Sequence, residues 1–213
     1  MTPDDRIKFK NMAQERVVLL TPVTEGEKRF DTEKYVEGYA AKYDKYLLWD
    51  DGDWGKTYER FDPGCFKNTD MSDVIMQFDH AGRVFARITN GTLIVETDDT
   101  GLFMAADLDK TELARGLYED INAGMITKMS WRFKPGKYYV EREEGSRDRT
   151  IVHTEITKIY DVSAVSIPAN DNTEINARDF VHGVMAEIAR SEAELDLKCR
   201  KLRTKINNTL GGI

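Results

Sequence analysis

Apolar and polar residues alternate through the middle of the chain, and this pattern predicts a strand-rich domain. Short apolar or alternating runs bounded by turn residues recur between residues 17 and 167, as is typical of antiparallel sheets. Residues 17–20 predict a first strand. Residues 84–89 and 92–97 flank Asn90-Gly91, which is the strongest short signal for a β-hairpin. The pattern therefore predicts an antiparallel meander.

One amphipathic helix follows the predicted meander. Leu113, Leu117 and Ile121 recur at four-residue steps, and this spacing predicts an apolar stripe that faces the core. Asp109, with a glutamate three residues later, predicts the N-terminal cap. Gly124 supplies the left-handed residue that follows many helices. We therefore predict a helix that begins after Asp109 and ends before Gly124.

Two strand-like segments come next, at 125–139 and 150–167. A polar turn around Gly145 separates them, and Pro168 ends the second segment. Since strands outnumber helices up to this point, the sequence predicts a mainly β fold with a few helices (α+β).

The character of the chain changes after this β-rich part. From about residue 178 to 207, apolar residues recur with heptad-like spacing and predict one long helix with a basic end. We therefore divide the chain into an N-terminal segment with the first strand at 1–34, a β-domain at 35–170 and a helical extension at 171–213. The extension is either a scaffold-like, oligomerisation or removable segment, or a helix packed on its own domain.

Composition narrows the classes of function. The 213 residues are 40% hydrophobic and carry a formal net charge of −7, which predicts a folded core and disfavours nucleic acid as the main partner. No run of about 18 apolar residues predicts a membrane span. Cys65 and Cys199 lie in different contexts, which favours a reducing compartment. The acid-rich loop at 50–55 lacks the glutamate that closes a calcium loop, so we predict no metal.

Ser130 lies in the first of the two long strand segments. If Gly145 is the tip of a hairpin, strand partners have residue numbers that sum to about 290, so Ser130 lies opposite residues 159–161. Asp161 is then within a position or two of Ser130, where cross-strand Cβ atoms are about 4.5–5.5 Å apart. Glu155 lies roughly 17 Å away along the strand. The register therefore favours Asp161 as the acid near the serine.

A serine nucleophile needs a base within hydrogen-bond reach, and histidine suits that role because it titrates near neutral pH. The chain has three histidines. His182 lies on the predicted terminal helix and His153 lies near the turn end of a strand, whereas His80 follows a buried-looking strand and begins a turn. His80 is therefore the candidate base, and a surface or core-edge histidine fits the same pattern. A serine, a histidine and an acid are the components of a serine hydrolase.

Several short segments carry a resemblance when they are taken in chain order. They are Gly38-Tyr39-Ala40, 59–66, Phe78-Asp79-His80 with 83–88, 99–102, 109–124, 124–133 and 160–169. The ordered set resembles the caudovirus prohead protease family, the maturation serine peptidases of tailed phages, which are related in fold to the herpesvirus assemblin proteases. The match covers roughly residues 35–178, and its specificity comes from the order of the segments.

The resemblance implies an assemblin-like antiparallel β-barrel core with a C-terminal helical extension. It also implies Ser130 as the nucleophile and His80 as the base of a catalytic triad. Asp161 stands at the third position, where we expect Glu in most relatives. Glu155 and His153 remain alternatives for this third member, the latter because assemblins use a second histidine.

Lys128 and Arg132 depart from the family pattern, which often has small residues around the serine. Arg132 is a candidate oxyanion donor, since a guanidinium aimed at developing negative charge serves that step. A surface arginine is the alternative interpretation.

The resemblance also implies the reaction and its setting. It implies a serine endopeptidase that needs no cofactor or metal and acts in the host cytoplasm, inside the assembling procapsid. Its expected partners are the major capsid protein with its scaffolding segment, and the protease itself through oligomerisation and autocleavage; no membrane is expected. The alternative is a non-enzymatic capsid-assembly or scaffolding module with the same fold. A small-molecule esterase is disfavoured because the sequence has no Gly-x-Ser-x-Gly motif.

Overall fold

The computed structural model describes residues 14–19, 21–22, 28–50, 52, 55–142, 144–166, 186, 189–191 and 193–201. Residues 14–166 of this set belong to one compact unit, and residues 186–201 belong to a second. The strands of the first unit are β1 (Gln14–Leu19), β2 (Thr21–Pro22), β3 (Tyr35–Lys42), β4 (Tyr46–Asp50), β5 (Lys56–Phe61), β6 (Ile75–Phe78), β7 (Ala81–Arg87), β8 (Leu93–Thr97), β9 (Gly101–Asp107), β10 (Lys128–Pro135), β11 (Tyr138–Arg142), β12 (Arg149–His153) and β13 (Ile156–Val165). Its helix is α1 (Glu112–Asn122).

The strands form three sheets, with strand orders β1-β10-β13-β6-β7, β11-β12-β5-β4 and β2-β3-β9-β8. The prediction of a mainly β fold with few helices is confirmed. The predicted antiparallel barrel is wrong in two respects. Within the described strands the sheets do not close into one barrel, and β13 pairs with β6, and β12 with β5, in parallel.

The predicted hairpin at Asn90-Gly91 is also wrong. Gly91 does adopt a left-handed φ of 73°, but the strands on either side of the turn belong to different sheets, because β7 pairs with β6 and β8 pairs with β9. Thr92 holds this crossing: its hydroxyl accepts from the Arg87 N–H at 2.9 Å, and its carbonyl accepts from the Asp107 N–H at 2.9 Å. The sequence therefore predicted the turn correctly, but the chain passes from one sheet to another at this turn.

The predicted helix is present, although two of its details differ. Thr111, and not Asp109, caps the N-terminus, since its side chain accepts from the Ala114 N–H at 3.1 Å. Leu117 and Ile121 are buried, as predicted, but Leu113 is 49% exposed and Ala114 takes its place in the core. Gly124 has the expected left-handed φ of 73°.

The core of this unit is rich in aromatic side chains. Trp131 and Phe133 of β10 stack with their ring centroids 4.1 Å apart, and Phe61 of β5 packs edge-on against both. Burial of each such ring contributes about 1.5–3 kcal/mol to the free energy of folding. The aromatic cluster therefore fixes one face of β10 against the second sheet.

Part of the predicted terminal helix is described. Residues 186, 189–191 and 193–201 are helical, with ion pairs of helical spacing between Arg190 and Glu194 and between Asp196 and Arg200. The rest of the predicted segment from 178 to 207 lies outside the described residues, and its role stays a prediction. No helix in the described part of the chain is long and apolar enough to cross a membrane.

Candidate active site

Ser130 lies on the face of the five-stranded sheet that is turned away from the aromatic core. Its neighbours Met129 and Trp131 are fully buried in the core, and side chains alternate between the two faces of a strand. Ser130 and Arg132 therefore share the opposite face. Ser130 is only 2% exposed, and its Oγ has no hydrogen-bond partner among the described residues.

The observed partner of Ser130 lies two residues beyond the range of 159–161 that the sequence-based register gives. Ser130 pairs with Ser163 in β13, and Asp161 pairs with Arg132. The turn around Gly145 was correctly predicted, since β11 and β12 form a hairpin on either side of it. Irregularities in the β10–β13 ladder, after Arg132 and after Lys134, shift the partner of Ser130. Asp161 is nevertheless two positions from the partner of Ser130, within the predicted range.

His80 contacts Asp161 directly. Its Nδ1 lies 2.5 Å from Oδ1 of Asp161; the Asp161 side chain is buried, and the His80 side chain is 9% exposed. This contact leaves Nε2 as the ring nitrogen that can exchange a proton with a nucleophile, which is the division of roles found in serine-hydrolase triads. The structure therefore brings together the histidine and the acid that the sequence favoured, on the face of the sheet that carries Ser130.

A tight turn between β6 and β7 presents His80. Asp79 and His80 have positive φ values of 49° and 56°, as the two central residues of a type I′ turn require. Such values are uncommon for residues other than glycine. Residues outside the turn fix Asp79 in place. Its carboxylate accepts from the Ser166 N–H at 2.9 Å and from the Ser166 hydroxyl at 2.7 Å. Its own N–H donates to the Ala164 carbonyl at 2.9 Å.

Two further groups approach Asp161. The Ser163 hydroxyl donates to Oδ1 at 2.6 Å and accepts from the Gln77 N–H at 3.3 Å. The Arg132 guanidinium lies 3.9 Å from Oδ2 and is about one-third exposed. Ser163 was not among the residues predicted from the sequence, although a signal was present: it stands two residues after Asp161, on the same face of the strand.

The two alternative third members lie elsewhere. Glu155 is in the turn between β12 and β13, where its carboxylate is 3.4 Å from the Lys137 ammonium. His153 is fully buried in the second sheet, stacks on Phe61 with centroids 5.0 Å apart, and its Nε2 lies 2.8 Å from Oε1 of Glu59.

Glu59 is the centre of this second, fully buried cluster. Arg16 donates to both of its carboxylate oxygens, at 2.6 and 2.7 Å, and the Tyr46 hydroxyl also contacts it. Burial alone would raise the pKa of Glu59, but Arg16 and His153 outweigh burial and hold this pKa well below its ordinary value. Glu59 is therefore ionised, with partners on three other strands.

Comparisons with known proteins identify the class. Residues 22–187 match the family described as Caudovirus prohead serine protease. The chain therefore belongs to this family of phage serine peptidases, whose members act in capsid assembly and maturation.

Among the solved structures, one match is the bacteriophage T4 capsid assembly protease, gp21. It aligns with 73% of this chain and 99% of its own, at 13% sequence identity and a TM-score of 0.40. No curated protein matches the sequence.

Proposed function

We propose that this family member is an active endopeptidase whose triad is Ser130, His80 and Asp161. It cleaves capsid and scaffolding proteins, and itself, inside the assembling procapsid in the host cytoplasm. The observation that supports this assignment best is the 2.5 Å contact between His80 Nδ1 and Asp161 Oδ1, on the sheet face that carries Ser130. The contact leaves the other ring nitrogen of His80 for proton transfer.

The proposed reaction proceeds by acylation of Ser130 and then hydrolysis of the acyl-enzyme. Ser130 Oγ attacks the peptide carbonyl carbon while its proton passes to His80 Nε2, and Asp161 stabilises the imidazolium. The tetrahedral intermediate breaks its C–N bond, and the leaving amine takes that proton. Water then attacks the acyl-enzyme, again losing a proton to Nε2. Collapse of the second intermediate breaks its C–Oγ bond, returns this proton to Ser130 Oγ and releases the carboxylic acid product, which then ionises in water.

Arg132 remains our candidate for stabilising the oxyanion. It lies on the same face as Ser130, two residues along the strand, and its guanidinium reaches the neighbourhood of Asp161. Loss of an oxyanion donor lowers kcat by roughly 10²–10³-fold. We expect Arg132→Gln to lower the self-cleavage rate by about that factor if it fills this role, and by less than tenfold if it is only a neighbour of Asp161.

The decisive experiment compares the full chain with its Ser130→Ala variant. Intact mass spectrometry follows self-cleavage, and diisopropyl fluorophosphate probes the activated serine. We expect fragments and a single phosphoryl adduct on Ser130 in the wild type, and neither in Ser130→Ala. Ser146→Ala, which removes an exposed turn hydroxyl, is the matched control and keeps both. Equal fragments from both chains, or no fragments and no adduct in the wild type, would favour the non-enzymatic assembly module.

A further inference from the structure

Ser163 is the cross-strand partner of Ser130, and its hydroxyl lies inside the proposed site. The side chain is fully buried. Its Oγ donates to Asp161 Oδ1 at 2.6 Å and accepts from the main-chain N–H of Gln77 at 3.3 Å. This one hydroxyl therefore connects β13, which carries Asp161, with β6, which leads into the turn that presents His80.

The two hydrogen bonds fix the direction in which the hydroxyl points. A serine hydroxyl has one proton to donate. Because the Gln77 N–H can only donate and the carboxylate oxygen accepts, the hydroxyl proton is directed at the carboxylate. Oδ1 of Asp161 thus lies between two donors, the Ser163 hydroxyl and Nδ1 of His80, at 2.6 and 2.5 Å. Two donors on one oxygen hold the carboxylate in one orientation.

The two hydrogen-bond partners of Ser163 go beyond what a purely structural serine needs. In many proteins, serine side chains form their hydrogen bonds with nearby backbone groups. Here one bond of Ser163 goes to a carboxylate that itself holds a histidine, and the other goes to a different strand. We propose that Ser163 is a positioning residue, which orients the Asp161 carboxylate towards His80 and shares its negative charge; this rests on the proposed function of the triad.

The consequence for pH dependence has a definite sign. When Ser163 donates to Asp161, it delocalises part of the carboxylate's charge, so the His80–Asp161 pair attracts an additional proton less strongly. Without the hydroxyl, the pair takes up that proton more readily. The protonated pair cannot accept the proton of Ser130, so activity is lost at a higher pH on acidification. The acid limb of the pH–rate profile therefore moves to higher pH.

The test uses the full chain and diisopropyl fluorophosphate, with the second-order labelling rate of Ser130 measured from pH 5 to 9 by intact mass. We expect Ser163→Ala to lower the maximal rate on the order of tenfold, as loss of a hydrogen bond to a charged group predicts, and to move the acid limb to higher pH. Ser163→Thr keeps the hydroxyl on a strand-compatible side chain and restores both. Thr57→Val, which removes a fully buried hydroxyl from the second sheet, changes neither.

Stability is measured separately by thermal unfolding, so that misfolding is not mistaken for a positioning effect. If Ser163→Ala labels more slowly at every pH with an unmoved acid limb, or if it labels like the wild type, Ser163 is a structural residue and the proposal is wrong. Failure of the triad itself gives a different result, since the wild-type chain then forms no adduct on Ser130. A destabilised Ser163→Ala chain is replaced by Ser163→Cys, which swaps the hydroxyl for a weak thiol donor and must move the limb in the same direction.

Discussion

Two histidine–carboxylate pairs lie in the described part of the chain, and their surroundings differ. In the first sheet, His80 Nδ1 lies 2.5 Å from Asp161; in the second, His153 Nε2 lies 2.8 Å from Glu59. Asp161 and Glu59 are both almost completely buried. A contact between a buried acid and an imidazole is therefore not enough to identify a catalytic site in this protein.

The neighbours of each pair separate the two roles. Glu59 accepts two hydrogen bonds from the Arg16 guanidinium and also contacts the Tyr46 hydroxyl. The permanent positive charge of Arg16 therefore compensates the negative charge of Glu59. Asp161 is bonded by a hydroxyl and an imidazole, and the Arg132 guanidinium comes only to 3.9 Å from its Oδ2. The pair shares a sheet face with the buried hydroxyl of Ser130. The first arrangement fits a structural role, whereas the second fits the catalytic role that we propose for His80.

Among the substitutions that test this comparison, Asp161→Asn is expected to have the largest effect on the self-cleavage rate. An asparagine preserves the shape but cannot stabilise the imidazolium, so we expect the self-cleavage rate to fall by about 10²–10⁴-fold while the chain stays folded by circular dichroism. Glu155→Gln is the matched control, because its carboxylate lies beside Lys137, and it keeps the wild-type rate. A larger loss in Glu155→Gln than in Asp161→Asn would show that the third member is Glu155.

Glu59→Gln tests the second pair, and its expected effect is on stability. It leaves the buried charge of Arg16 uncompensated, and breaking a buried ion pair in this way costs about 3–5 kcal/mol. Urea unfolding measures this loss. Glu141→Gln, at an exposed ion pair with Arg60, is the control and changes stability by less than about 1 kcal/mol. If Glu59→Gln abolished labelling of Ser130 and left stability intact, our division between the two pairs would be wrong.

The pH dependence of stability should follow the same division. The pKa of Glu59 is held below its ordinary value of 4.5 by Arg16 and His153, which outweigh the effect of burial. The unfolded chain therefore binds a proton more readily than the folded one below about pH 4.5, so the contribution of Glu59 is fully present above that pH and is lost as pH falls. We expect urea unfolding between pH 6 and 3 to show a smaller decline in Glu59→Gln than in the wild type. An equally steep decline would place the acid sensitivity on other carboxylates.

The parts of the fold that local patterns determine could be predicted from the sequence. The turn at Gly145, the helix ending before Gly124 and the nearness of Asp161 to Ser130 follow from turn chemistry, apolar spacing and strand alternation. The pairing of His80 with Asp161 was favoured by the small number of histidines. Each of these inferences needed only the local spacing of residues and one assumption about a turn.

Features that depend on contacts between distant segments could not be predicted in this way. The turn signal at Asn90-Gly91 did not reveal that its flanking strands enter different sheets. The irregularities in the β10–β13 ladder carry no composition signal that we recognised, so the observed partner of Ser130 lies two residues beyond the predicted range. The link between His153 and Glu59 spans 94 positions of sequence, and only the parallel pairing of β12 with β5 brings these residues together.

The smallest expected effect concerns how the two histidines are supported. His153 lies in a paired strand, whereas His80 sits in a turn with positive φ that Asp79 ties to Ser166. Asp79→Ala removes this tie and puts at a φ of 49° a residue that tolerates positive φ less well than aspartate does, so we expect labelling of Ser130 to slow by about tenfold.

Two further substitutions separate the tie to Ser166 from the backbone strain. Asp79→Asn tolerates positive φ and still accepts from the Ser166 N–H, so it should label at close to the wild-type rate. Asp79→Gly relaxes the backbone but cannot hold Ser166, so labelling of Ser130 should be slow in this variant. Its unfolding temperature should nevertheless lie closer to the wild-type value than the unfolding temperature of Asp79→Ala does. Fast labelling in Asp79→Gly would mean that the turn presents His80 without help from Ser166, and that the two histidines differ only in their chemical neighbours.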